Sequence, residues 1–223
     1  NTIDFHNAGP RISPRPIELV PRSRNQEKLV LALQNPQSHI VITVGPAGTG
    51  KTYLAMQAAV RALRLGACER IVMTRPAVGV EDERHGFLPG DLVAKMEPWT
   101  RPLLDVLREY YRPQDIVRMM EDQVIEISPL AYMRGRTFKQ AWVIADEMQN
   151  ATPAQVKMLM TRIGQNSRIV ITGDVEQADR QGSNNGLLDL VQRISQQAVD
   201  GIDLCQMGMK DVQRHPLLSL IHI

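Results

Sequence analysis

Gly45-Pro46-Ala47-Gly48-Thr49-Gly50-Lys51-Thr52 matches the phosphate-loop pattern G-x-x-x-x-G-K-[ST] at every fixed position. An apolar, β-branched run, His39-Ile40-Val41-Ile42-Thr43-Val44, comes just before it. A helix-favouring stretch, Tyr53 to Leu65, comes just after. Strand, loop and helix in that order turn the pattern into a mechanism. Backbone N–H groups of such a loop wrap a phosphate, and the following helix adds its positive end. Lys51 then reaches the β- and γ-phosphates, and the Thr52 hydroxyl holds Mg²⁺. The nucleotide-binding set read from this stretch is Gly45, Pro46, Ala47, Gly48, Thr49, Gly50, Lys51, Thr52 and the adjoining Tyr53. An ordinary glycine turn lacks these flanks. The loop says that a nucleoside triphosphate is bound, not what its energy is used for.

Working outward, 223 residues with 43% hydrophobic content suit one large globular domain, or one domain with a sizeable insertion. No stretch approaches the roughly 18 uninterrupted apolar residues of a membrane span, so no membrane partner is expected. The first residues, Asn1 to His6, have no signal-peptide layout and no initiator Met. The expectation is a cytoplasmic protein whose chain is trimmed or partial. Cys68 and Cys205 lie far apart and read as reduced structural thiols. The five histidines show no metal-ligand spacing, and a net charge of +2 neither requires nor excludes a basic patch.

Residues 1–24 carry Pro10, Pro14, Pro16 and Pro21 with Arg11, Arg15, Arg22 and Arg24, and read as an extended basic arm. A helix starts near Asn25, with Leu29, Val30 and Leu33 on one face. After the loop helix, Arg70–Thr74 reads as a second strand. Residues 76–123 are too long for a simple connection. Periodic apolar residues at Leu103, Leu104 and Leu107, and again at Ile116-Val117 and Met119-Met120, give them helices of their own, read as an insertion on the sheet rim. Val124–Ile127, Ala141–Ala145 and Arg168–Thr172 read as three more strands. A helix from Pro153 to about Ile163, started by Thr152-Pro153, separates the last two. Strands alternating with helices give an α/β fold, a mostly parallel sheet with helices on both faces.

The Ala141–Ala145 strand delivers Asp146 and Glu147 at its C-terminal tip, where ligands bind in open α/β sheets. Asp146 is expected to hold Mg²⁺, directly or through water, and Glu147 to orient and activate the attacking water. The next strand ends in Thr172-Gly173-Asp174, with Gln177 three further on, placed to sense a γ-phosphate. Arg214, Arg134 and Arg136 are candidates to neutralise charge on the transferring phosphoryl group. Tyr110 and Tyr111 are adjacent in a helical stretch, so at most one could stack on a ligand; packing is the simpler role.

Several motifs now agree in order and spacing. Besides the loop they are Thr74-Arg-Pro-Ala-Val78, Gly86-Phe-Leu-Pro-Gly90, Met133-Arg-Gly-Arg-Thr-Phe138, Ile144-Ala-Asp-Glu-Met-Gln-Asn150, Leu159-Met-Thr-Arg-Ile-Gly164, Gly173-Asp-Val-Glu-Gln177 and Asp211-Val-Gln-Arg-His-Pro216. In this set the chain resembles the PhoH family of P-loop ATPases, which is similar to the N-terminal lobe of superfamily-one helicases. One departure is His85, where an apolar residue is expected. The resemblance implies a single RecA-like ATPase domain over 25–223, with the insertion at about 76–123. It implies that Gln26 reads the adenine edge, that Lys51, Glu147, Gln177 and Arg214 act in catalysis, and that Thr52 and Asp146 hold the metal. Thr74 and Arg75 match a helicase segment that touches a single strand's backbone, and Arg134 and Arg136 join them as nucleic-acid candidates. The family is associated with phosphate starvation, some members carry an RNA-cleaving PIN domain, and similar copies occur in bacteriophages. A bacterial or phage-encoded origin follows.

The leading expectation is therefore ATP hydrolysis with Mg²⁺, coupled to RNA or single-stranded nucleic acid. A single lobe needs a second wall for its ATP site, which favours a homo-oligomeric ring, a hexamer. Two alternatives stay open at this stage: a non-enzymatic ATP-operated switch or scaffold, and a small-molecule kinase. Glu147 speaks against the first, and Gly173-Asp174-x-x-Gln177 beside Asp146-Glu147 suits hydrolysis better than the second.

Overall fold

In a computed structural model, the residues described are 16–76, 103–177 and 185–213. Among them, β1 (Ile40–Val44), β2 (Arg70–Arg75), β3 (Ile125–Pro129), β4 (Ala141–Ala145), β5 (Arg168–Gly173) and β6 (Ile202–Gln206) form one sheet in the order β3-β2-β4-β5-β1-β6. Every pairing is parallel. β1 and β4 are buried along their whole length, as their unbroken apolar runs require. β5 lies between them, so the phosphate-loop strand and the carboxylate strand are one strand apart.

Alternate residues of each strand feed opposite faces. Val41, Ile71, Met73, Ile144 and Val170 meet α1 (Arg24–Gln34) and α2 (Lys51–Arg64), while Ile42, Val72, Val143 and Ile171 meet α5 (Pro153–Met160) and α6 (Gly186–Gln196). Local signals set the helix starts. Ser23 caps α1 by accepting from the Gln26 N–H at 3.2 Å. Thr152 and Gln155 form a reciprocal capping box on α5, with Pro153 at the first turn. The α5 helix stops at Met160 rather than Ile163. The chain turns there so that the Phe138 N–H donates to the Arg162 carbonyl at 2.9 Å, and Phe138 bridges to Ile163.

Three expectations need correction. The arm drawn over 1–24 is too long, because Ile17 and Leu19, spaced for one side of an extended segment, are buried in the core with α1 and α2. Residues 103–121 are not a rim insertion. Helical residues 103–108 (α3) and α4 (Pro113–Glu121) pack Leu103, Val106, Leu107, Ile116 and Met119 into that same core. They are the crossover from β2 to its parallel neighbour β3. Third, α6 and β6 go beyond the elements expected from the sequence. Tyr110 and Tyr111 both pack on Arg64, whose guanidinium lies 5.4 and 5.0 Å from their ring centres. Arg11, His85 and the Gly86–Gly90 motif lie outside the described residues.

Both cysteines are buried and unpaired, and burial pushes the Cys68 thiol up to about 12 and that of Cys205 up to about 11. Among the described residues no helix is long and apolar enough to cross a membrane. If α3 is integral to the core, Leu107→Ala should destabilise the whole chain by about 2–5 kcal/mol. Urea unfolding checks this; an unshifted midpoint would mean that the segment folds apart from the sheet.

Candidate nucleotide site

The phosphate loop takes its shape from glycines where side chains are excluded. Gly48 and Gly50 have φ of 79° and 78°, in the left-handed region that glycine adopts without strain. At Gly45, whose φ is also positive at 147°, space is a further constraint, since a Cβ would lie 2.5 Å from the Met207 carbonyl oxygen. The segment after β6 crosses the loop. The Met207 N–H donates to the Val44 carbonyl at 2.8 Å and the Gln213 N–H to the Gly48 carbonyl at 2.9 Å. Asp211 ties this segment to α1 by accepting from Asn25 Nδ2 at 2.8 Å and from the Gly208 N–H at 2.7 Å.

Lys51 Nζ donates to the carbonyls of Gly45 and Pro46, each at 2.7 Å, and to Thr49 Oγ1 at 3.2 Å. Burial lowers the Lys51 pKa from the usual lysine range, while Asp174, Glu147 and Asp146 oppose the shift. The Thr52 hydroxyl donates to Asp146 Oδ1 at 2.8 Å, and Thr172 donates to the same oxygen. The Thr52 and Thr172 hydroxyls are 3.5 Å apart. The start of α2 and the ends of β4 and β5 therefore converge on one carboxylate oxygen.

Glu147 follows in a left-handed conformation, φ 55° and ψ 38°, which costs a side-chain-bearing residue roughly 1–3 kcal/mol. Its carboxylate accepts from Gln149 Nε2 and lies 3.8 Å from the Arg75 guanidinium. Gly48, Lys51, Thr52, Asp146, Glu147 and Asp174 line a cleft that Tyr53 and Gln177 also border. The structure thus brings together the loop residues, Asp146, Glu147 and Gln177.

Other expected residues are placed differently. Gln26 is buried; its Nε2 donates to the Thr49 carbonyl at 3.0 Å and its Oε1 accepts from the Arg22 N–H at 2.7 Å. Both ends of that amide are engaged by the chain, so Gln26 braces the loop. Thr74 is 1% exposed and its hydroxyl has no partner, so it is no surface contact in this structure. Arg136 is forked onto Glu126 of β3, the edge strand of the sheet, with Nη2 to Oε2 at 2.7 Å, and is stacked over Phe138. That pairing makes Arg136 a structural group. Arg134 is exposed on the same stretch. Arg214 lies outside the described residues, directly after Gln213. Sequence reading gave no role to Gln149, to the Asp211–Asn25 tie, or to Thr172 as a partner of Asp146. Gln149 and Asp211 sit inside motifs the sequence displays, but their hydrogen bonds appear only once the strand tips are assembled.

Fold and site together define a P-loop NTPase-type domain, RecA-like in its strand arrangement. A family model described as PhoH-like protein matches residues 18–222, and the chain belongs to that family. It is 47% identical over 201 residues to a PhoH-like protein of Bacillus subtilis (strain 168), covering 90% of this chain and 61% of that protein. It is 37% identical over 198 residues to Protein PhoH of Escherichia coli (strain K12), covering 87% and 55%. The chain thus spans well under two-thirds of the length of these relatives. Among solved structures it is similar to the helicase MrfA bound to DNA, with a TM-score of 0.49 at 10% identity over 82% of this chain and 27% of that one. It is also similar to the DnaC helicase loader, with a TM-score of 0.39 at 13% identity over 84% of this chain and 93% of that one.

Gly45→Ala forces either the loop or Met207 aside. Nucleotide affinity should fall at least about tenfold, since lost phosphate contacts of some 1.5 kcal/mol or more are charge-assisted hydrogen bonds. Titration of a fluorescent nucleotide measures it, and unaltered affinity would show that the loop tolerates a side chain there.

Proposed function

We propose that this chain hydrolyses ATP with Mg²⁺, and that hydrolysis is coupled to binding or remodelling of RNA or single-stranded nucleic acid. The observation that carries this reading is the junction of Thr52, Asp146 and Thr172, with Glu147 beside it, in the cleft onto which the phosphate loop opens. The donor set suits Mg²⁺, because a hydroxyl and a carboxylate are hard oxygen ligands. Among the described residues no group of three or more His, Cys, Asp or Glu could form an all-protein cage. Magnesium is ordinarily held by one or two carboxylates plus substrate phosphates and water. Thr52 and Asp146 would hold it here, and it would supply neutralising charge at the β- and γ-phosphate oxygens.

The loop N–H groups and Lys51 bind the triphosphate. Glu147 accepts a proton from the water whose oxygen bonds to the γ-phosphorus as the bond to the ADP oxygen breaks. Gln177, on the turn after β5, borders the cleft and is assigned to sense the γ-phosphate. Arg75 supports the coupling to a polynucleotide. It stands at the tip of β2, within 3.8 Å of Glu147. A backbone phosphate drawn to Arg75 competes with that carboxylate and so reaches the hydrolytic group directly. A single RecA-like lobe leaves the other wall of its nucleotide cleft to a second copy, which favours a ring, hexameric in the leading reading. Arg214 directly follows in sequence Gln213, whose N–H donates to the Gly48 carbonyl, and is assigned the role of neutralising the transferring phosphoryl group.

Phosphate release by the wild type and by Glu147→Gln, with and without single-stranded RNA or DNA, tests the reading on material sized by light scattering. Wild-type turnover should rise with the polynucleotide, and Glu147→Gln should lose about 10²–10⁴ of the rate. Equal, negligible rates in both proteins would favour a switch instead. Arg214→Ala should cut release by roughly 10³-fold or more and leave nucleotide affinity near normal. Loss of affinity, or no effect, would remove Arg214 from this role.

A further inference from the structure

Gln149 belongs to none of the roles assigned above, yet it is one of the few buried polar side chains at the site, 3% exposed. It lies in the 3₁₀ turn Met148–Asn150 that follows Glu147. Its amide works at both ends. Nε2 donates to Glu147 Oε2, and Oε1 accepts from the Asp174 N–H at 3.1 Å. The tip of β5 is cut to admit it, since a Cβ on Gly173 would come within 2.7 Å of Gln149 Oε1 and 3.2 Å of its backbone nitrogen. On the far side of Glu147, the other carboxylate oxygen faces Arg75 at 3.8 Å.

We infer that Gln149 is a positioning residue that aims the Glu147 carboxylate and locks it to the turn carrying Asp174 and Gln177. The inference rests on the hydrolytic reading of Glu147. Joining a carboxylate to a backbone N–H takes both a donor and an acceptor, and the glutamine amide carries the two on one rigid plane. Glutamate has the same shape but, when ionised, has no donor and sets a second negative charge against Glu147. Leucine fills the space and makes neither bond. If Gln149 only fills space, leucine leaves turnover intact. If it aims Glu147, leucine lowers kcat, and glutamate, which adds a charge as well, is at least as damaging.

The test measures steady-state kcat and KM for ATP, with fluorescent-nucleotide affinity, for Gln149→Glu, Gln149→Leu, Glu147→Gln and the double variant Glu147→Gln/Gln149→Leu. The expected result is a loss in kcat of about tenfold or more in both Gln149 variants, Glu no milder than Leu, with KM and nucleotide affinity within about threefold. In the double variant, Gln149→Leu should add less than about twofold to the loss from Glu147→Gln, because two groups acting as one unit are not additive. Wild-type kcat in Gln149→Glu, or full additivity in the double variant, overturns the inference. Should Gln149→Glu fail to fold, Gln149→Leu decides through the kcat-against-KM split and the double variant. A dead Glu147→Gln beside wild-type Gln149 variants sinks the positioning role alone, whereas an active Glu147→Gln sinks the hydrolytic reading beneath it.

Discussion

One oxygen atom organises this site. Asp146 Oδ1 accepts from Thr52, at the start of the loop helix, and from Thr172, at the end of β5. A hydrogen bond to a charged acceptor contributes about 1.5–3 kcal/mol. More important is what it fixes. β1, β4 and β5 reach this point from separate parts of the chain, and the backbone ladder aligns them only along the strands. The shared oxygen sets the loop helix against the carboxylate strand beyond the ladder's end.

Around that junction the charges are arranged against ordinary solvation. Lys51 is buried, and burial alone favours its neutral form. Asp174, Glu147 and Asp146 act in the opposite sense and keep the ammonium useful. The carboxylates and the lysine thus depend on one another, and removing one changes the solvation of the rest. Glu147 adds backbone strain, with a positive φ at a residue carrying a long side chain. The strain persists because Arg75 on one side and Gln149 on the other hold the carboxylate.

Much of this was legible in the sequence because it depends on short-range rules. The loop, its flanking strand and the Thr152-Pro153 helix start are local signals, and continuous apolar runs marked β1, β2, β4 and β5. What stayed hidden depends on partners distant in sequence. β6 has only Cys205 fully buried, so Ile202-Asp203-Leu204-Cys205-Gln206 lacks the run of a central strand. The 103–121 helices were visible as helices, but their periodicity could not say that their apolar faces meet α2. Arg136 read as a free basic group because Glu126, ten residues away, becomes its partner only when β3 forms. Thr74 read as a contact residue from its likeness to a helicase segment, and its burial in β2 leaves no mark on a threonine.

The segment after β6 shows how far the loop depends on chain remote from it. Gly45 is small because Met207 presses on it, and Gly48 hands its carbonyl to Gln213. Asp211, 3% exposed, holds that segment by its bond to Asn25, the neighbour of Gln26, which itself braces Thr49. The loop is thus gripped from both sides by one connected set of hydrogen bonds, with α1 at one end and Gln213 at the other. Phosphates that reorder the loop carbonyls must act on Gln213 through Gly48. A change in what the loop holds therefore reaches the Asp211–Asn25 tie and α1 through the same connected bonds.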